Sequence, residues 1–166
     1  IIDYPHTAHK SPEADILLGQ GCRAWIGDTS GISLLAMCFG RPRLLLDWIP
    51  IASAFHHGCE VTVVPMVLGE TATGRPIDLK RVSDPEILVA FSPAVLRRHG
   101  VTAFSVGEDV VSQSVRDFLE SLDDDSTRDD GATKVLRDSI EAATGMPSGA
   151  SHIAPAYLKH LAELNY

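Results

Sequence analysis

Trp25-Ile-Gly-Asp-Thr-Ser-Gly-Ile-Ser-Leu-Leu-Ala-Met-Cys-Phe-Gly-Arg-Pro-Arg-Leu-Leu-Leu-Asp47 decides the fold of this chain. It opens on a short apolar strand, Arg23–Ile26, and passes through a small polar turn, Gly27-Asp28-Thr29-Ser30-Gly31. A compact apolar helix is expected from Ser30 to Phe39, with Gly40 as its stop, because glycine accepts the left-handed conformation that ends helices. A second buried strand follows at Arg43–Leu46. A strand, a helix and a strand in this order predict a βαβ unit, and hence parallel pairing. The turn sets small residues at a helix start, where the first N–H groups lack intrahelical partners and the macrodipole is positive. Such a start is suited to an anion.

The same alternation extends on either side. Ile1–Tyr4 is expected as a strand and Pro5–Lys10 as a polar loop. Ser11-Pro12-Glu13 has the residues of a helix start: a capping hydroxyl, Pro at the first helical position and an acid in the first turn. That helix should run to Gln20 and end at Gly21. The β-branched run within Glu60–Pro65 predicts another strand, and Leu68–Pro76, rich in Gly and Thr, a loop. Helices are expected at Asp84–Phe91 and Ser92–His99, a strand at Thr102–Val106, and an amphipathic helix at Glu108–Leu122. The predicted class is therefore α/β: a Rossmann-like, mainly parallel sheet with helices on both faces, over residues 1–122. An acidic linker at 123–131 and a helical tail at 132–166 complete the expected organisation.

At 166 residues and 45% hydrophobic, the chain has one domain's length and enough apolar side chains for a core. With 6% aromatics, that core must be built of Leu, Val, Ile and Ala, as in a sheet covered on both faces. The net charge of −8 argues against nucleic acid as a partner, which would need a basic stripe to displace counterions. Much of the acidity lies between Glu120 and Asp130, so the rest of the surface can still meet an anion. Cys22, Cys38 and Cys59 are widely spaced, odd in number and form no CxxC pair, as expected of reduced, buried thiols in a cytosolic protein. No stretch approaches the ~20 apolar residues of a membrane span. The start at Ile1, without Met or signal features, gives the expectation of a fragment that lacks an N-terminal domain.

Ligands of parallel sheets bind outside the carboxyl ends of the strands. Five loops are expected on that edge: Pro5–Lys10, Gly27–Gly31, Asp47–Pro50, Pro65–Gly69 and Gly107–Asp109. They hold His6, His9, Lys10, Asp28, Thr29, Ser30, Asp47 and Trp48. The Asp28–Gly31 turn is equally what a well-capped helix start looks like without any ligand. Where it does bind, Gly31 would let a phosphate approach the backbone and a neighbouring hydroxyl would donate. Trp48 is either a lid on the core or a ring that stacks on a base or sugar, with Asp47 accepting from hydroxyls. Arg41 follows a helix C-terminus, away from that edge, and is expected to be structural. Lys10 is the better candidate for phosphate charge. His56-His57 and His6/His9 lack the third ligand of a metal site, so no metal is expected.

At these residues a resemblance emerges. Asp3–His6, Ala14–Leu18, Trp25–Ser33, Ala36–Pro42 and Asp47–Pro50 resemble the C-terminal, donor-binding half of bacterial GT-B-type glycosyltransferases of the surface-polysaccharide kind. The layout is also distantly similar to the donor-side loop of heptosyltransferases along Thr29–Ala36. It departs from that loop at Leu34, where those enzymes have His, and at Thr29, where they have Asp. Asp47 stands where the closer family has Asn. The resemblance implies that Thr29, Ser30, Gly31 and Lys10 bind the donor's phosphates. It implies a nucleotide and sugar pocket at His6, Asp28, Asp47, Trp48 and Pro50. It implies a nucleotide sugar as substrate, no metal or other cofactor, a glycan or other acceptor, and an acceptor domain outside this chain that holds the catalytic base. A cytoplasmic location, including the inner face of the membrane, goes with that activity. A sugar-nucleotide epimerase or hydrolase of similar shape, and a non-catalytic Rossmann-like interaction domain, are the alternatives.

Overall fold

The computed structural model describes residues 2–28, 30–54, 61–123, 130–145, 149 and 151–164. After a 3-10 turn at Tyr4–His6 the elements run α1 (Pro12–Gly21), β1 (Trp25–Gly27), α2 (Ser33–Cys38), β2 (Arg43–Trp48), α3 (Ile51–Ala54), β3 (Val61–Pro65) and β4 (Val67–Glu70). They continue with α4 (Leu79–Val82), α5 (Pro85–Leu88), α6 (Pro93–Arg98), β5 (Val101–Phe104), α7 (Glu108–Ser121), α8 (Asp130–Thr144), β6 (Ser151–Ile153) and α9 (Pro155–Glu163). The protein is α/β. Four strands form a parallel sheet in the order β1-β2-β3-β6, and β4 and β5 form a separate antiparallel pair.

Local chemistry explains the elements that sequence anticipates. Ser11 caps α1 by accepting from the Ala14 amide at 3.1 Å, with Pro12 in the first turn. α2 ends at Gly40, whose φ is 62°. The Gly40 amide donates to Met37 and the Arg41 amide to Ala36, both at 2.9 Å, which satisfies the last carbonyls of the helix. Arg41 also reaches the Gln20 carbonyl in the last turn of α1, a structural role for that cation. β2 and β3 are apolar because both of their faces are covered: Leu44, Leu45, Val61, Val63 and Val64 are fully buried. These strands and the inner faces of α7, α8 and α9 make one continuous core.

Four expectations are corrected. First, no strand forms at the N-terminus among the described residues. Pro5 favours a turn, which the His6 amide closes on Asp3 and the Thr7 amide on Tyr4. Second, Leu68–Pro76 is not all loop: Val67–Glu70 is a strand against Val101–Phe104. Gly69 is a packing glycine there, because a Cβ would stand 2.8 Å from the Phe104 ring and 3.0 Å from the Arg75 carbonyl. Third, the strand near Thr102–Val106 runs antiparallel to its partner and does not extend the parallel sheet. Fourth, the tail is not all helix. Ser151–Ile153 is β6, which adds to β3 and is continued by the Ala154 amide donating to Val63 at 2.9 Å. The linker expected at 123–131 falls mostly on residues 124–129, outside the described residues.

Candidate functional site

The parallel register brings the first two motif loops together. Gly27 pairs with Leu45, so the chains leaving β1 and β2 emerge side by side at the carboxyl edge of the sheet. β2 then carries an extra residue against β3, since Leu45 pairs with Val63 but Trp48 with Pro65. Asp47 sits in this bulge with φ of 47°, a left-handed conformation that Asp tolerates better than most residues. The bulge turns the Asp47 carboxylate toward the segment after β5. There it accepts from the Ser105 hydroxyl at 2.5 Å and from the Val106 amide at 3.3 Å. Asp47 thus ties the parallel sheet to the antiparallel pair. Ser105 is a partner that sequence reasoning missed, because it was absorbed into an expected strand.

Trp48 is buried, and its indole N–H donates to the Ser53 hydroxyl at 2.9 Å. Ser53 in turn donates to the Pro50 carbonyl at 2.9 Å, and the Ile49–Pro50 peptide is cis. Trp48 and Pro50, both buried, therefore form a packed turn over the core.

The helix start after β1 is tighter than expected. α2 begins at Ser33, not Ser30. The amides of Ser33, Leu34 and Leu35 donate to the carbonyls of Ser30, Gly31 and Ile32 at 3.1, 3.2 and 3.1 Å. The buried Ser33 hydroxyl adds a bond to the Ser30 carbonyl at 2.7 Å. A short hydroxyl side chain has drawn the backbone into its own turn. Three amides that an open helix start would present are thereby occupied. The amides of Gly31 and Ile32, at exposed residues, meet no acceptor among the described residues. Asp28 is exposed and its carbonyl accepts from the Ser30 amide at 2.8 Å; Thr29 lies outside the described residues.

His6 and Lys10 are not carried to this edge by a strand. His6 is exposed, with Nδ1 2.8 Å from the Asp3 carboxylate. Lys10 pairs with Asp15 in the first turn of α1 and lies over the Tyr4 ring, 5.3 Å from its centroid. The hydrogen bond from Lys10 holds the Asp15 carboxyl below the ordinary carboxylate value, and the same bond raises Lys10. His9 is exposed, and His56 and His57 lie outside the described residues. The thiols expected to be buried are not: Cys22 is half-buried and Cys38, the last residue of α2, is exposed, while Cys59 lies outside the described residues. No helix among the described residues is long and apolar enough to cross a membrane.

Further along the carboxyl edge, past β3 and β6, lies a cavity of about 170 Å³. None of the site residues expected from sequence lines it. Its walls come from Pro65 at the end of β3 and Met66 just after it, from Ile153 in β6, and from α8 and α9. Comparison with family models, with curated proteins and with solved structures finds no match to this chain.

Proposed function

We propose that this chain binds a nucleotide-sugar donor, as the donor-side half of a glycosyltransferase that passes the sugar to a glycan or another acceptor. One observation carries the reading. The two segments in which the resemblance is strongest, Trp25–Ser33 and Asp47–Pro50, leave adjacent parallel strands at the same carboxyl edge. In the proposed complex the Gly31 and Ile32 amides, with Ser30 and Thr29, meet the diphosphate, and Asp28 meets a hydroxyl of the sugar or ribose. Oriented amides near a departing diphosphate stabilise the charge that develops on it as the glycosidic bond breaks. Lys10 joins them only by leaving Asp15. The acceptor and the catalytic base are assigned to a further domain.

A second reading, a non-catalytic interaction domain, has its own support. Trp48 is buried, Lys10 is engaged by Asp15, and the amides of Ser33 to Leu35 are already bonded.

Amide NMR of this chain, titrated with UDP and with GDP, separates the two. Donor binding gives saturable shifts at Ser30, Gly31 and Ile32. Gly31→Val should then weaken binding at least tenfold with the fold retained, since a Cβ at Gly31 would meet nothing within 4 Å. No saturable shift with either nucleotide overturns the donor reading in favour of the interaction domain.

A further inference from the structure

The cavity beyond β3 and β6 has no place in the donor reading, and its chemistry is of a different kind. Leu136, Ile153 and Leu161 form walls of almost pure hydrocarbon, with Leu68 and Val82. The Tyr157 hydroxyl in the lining is turned to the Met66 carbonyl, at 3.4 Å. Among the described residues Ser83 and Ser139 are the other polar side chains that line it, and Ser139 donates to the Val135 carbonyl at 3.0 Å. No charged side chain is among the described lining residues. At about 170 Å³ the space is similar to dry protein cavities of roughly 150 Å³ that take up a ring of benzene size. It is also reachable from outside, because Val135 lines it and is 59% exposed.

We propose that this cavity is a binding site for the end of a neutral aliphatic chain of about six carbons. An apolar wall without polar partners stabilises methylenes and rejects hydroxyls, whose burial without a hydrogen bond is costly. No cation stands among the described lining residues to hold a carboxylate buried in the cavity. The mouth at Val135 leaves a polar head in water while the chain enters. The site stands on the cavity alone and does not depend on nucleotide binding.

The test is methyl NMR of the chain titrated with 1-hexanol and, separately, with 1,6-hexanediol and with benzene. Saturable shifts at the Leu136, Ile153 and Leu161 methyls are expected with hexanol. Hexanediol, which must bury a second hydroxyl, should bind at least tenfold more weakly. Ser139→Leu and Ser83→Leu each fill the space and should abolish the hexanol shifts, with amide spectra showing which variant keeps the fold. Benzene binding without hexanol binding would make the cavity a closed void and overturn the proposal. Equal binding of hexanol and hexanediol, or hexanol binding unchanged in a folded filled variant, would overturn it as well.

Discussion

At β1, one outer strand of the parallel sheet, Ile26 is partly exposed and the neighbouring α1 turns Ile16, Leu17 and Leu18 to solvent. At β6, the other outer strand, Ser151 and Ile153 are buried. The Ile153 amide is held by Thr133 of α8 at 3.2 Å, and Arg137 of the same helix donates to the Ser151 carbonyl at 2.8 Å. The two ends differ sharply in burial. Stability follows burial, because apolar surface stabilises only when it leaves water. The Gly27–Gly31 loop is therefore mounted at the less buried end, where local opening costs less than global unfolding, whereas the Asp47–Pro50 loop is packed over the core. The apolar cavity lies at the end that is covered.

The largest expected effect tests this contrast directly. Ile140→Ala, in α8, removes a fully buried side chain and should cost about 2–5 kcal/mol. Leu17→Ala, on a side chain 65% exposed, should stay within about 0.5 kcal/mol. Urea unfolding of both variants measures the difference. Equal costs would show that α1 is covered in solution and that the contrast is wrong.

Gly69→Ala comes next. It tests whether the β4–β5 pair belongs to the rigid part of the molecule. The new methyl would meet the Phe104 ring and the Arg75 carbonyl, so a loss of about 1–3 kcal/mol is expected. Phe104→Ala in the same background should recover part of that loss by removing the ring, as a double-mutant cycle would measure.

Asp47 joins the two sheets, and its variants separate backbone from side chain. Asp47→Ala loses both acceptors and keeps an unfavourable positive φ, for a cost of about 1–3 kcal/mol. Asp47→Gly relieves the backbone but not the lost bonds. Asp47→Asn keeps one acceptor oxygen and tolerates the left-handed conformation. The expected order of thermal stability is therefore Asn above Gly above Ala. Asn equal to Ala would mean that the bonds to Ser105 and Val106 contribute nothing.

These residues also mark how far sequence could be read. The Ser11-Pro12 start and the Gly40 stop were legible because their hydrogen bonds lie within a turn or two of the chain. The buried strands β2 and β3 were legible because a two-sided apolar environment requires near-continuous apolar residues. Strands β4 and β6 were not. Val67–Glu70 and Ser151–Ile153 are short, and each becomes a strand only through a partner distant in the chain. The bulge at Asp47 is a property of register, and register needs two strands. In the candidate site, the side-by-side emergence of the Asp28 and Asp47 loops followed from the parallel arrangement. The closing of the Ser33–Leu35 amides did not, because helix-start chemistry does not say whether the first turn bonds to itself or waits for a ligand. The pairing of Lys10 with Asp15 was not read from sequence either, although Asp15 stands only five residues on.

The smallest effect concerns that pair, and it bears on whether the exposed end of the sheet holds phosphate. Asp15 is lowered by the hydrogen bond from Lys10, so its contribution to stability is present above the unfolded carboxylate value of 3.8. It is lost as pH falls through the lower folded value. Lys10 is raised by the same bond, so its contribution is present below 10.5 and is lost as pH rises through the higher folded value. Between these limits the pair leaves no slope in stability. Carboxyl NMR should give Asp15 a midpoint below the ordinary one, and Lys10→Met should return it upward. The same midpoint reads the ligand: a diphosphate that draws Lys10 from Asp15 raises it when UDP is added. An Asp15 midpoint that stays put at saturating UDP removes Lys10 from any phosphate site and leaves the Gly31 turn to bind alone.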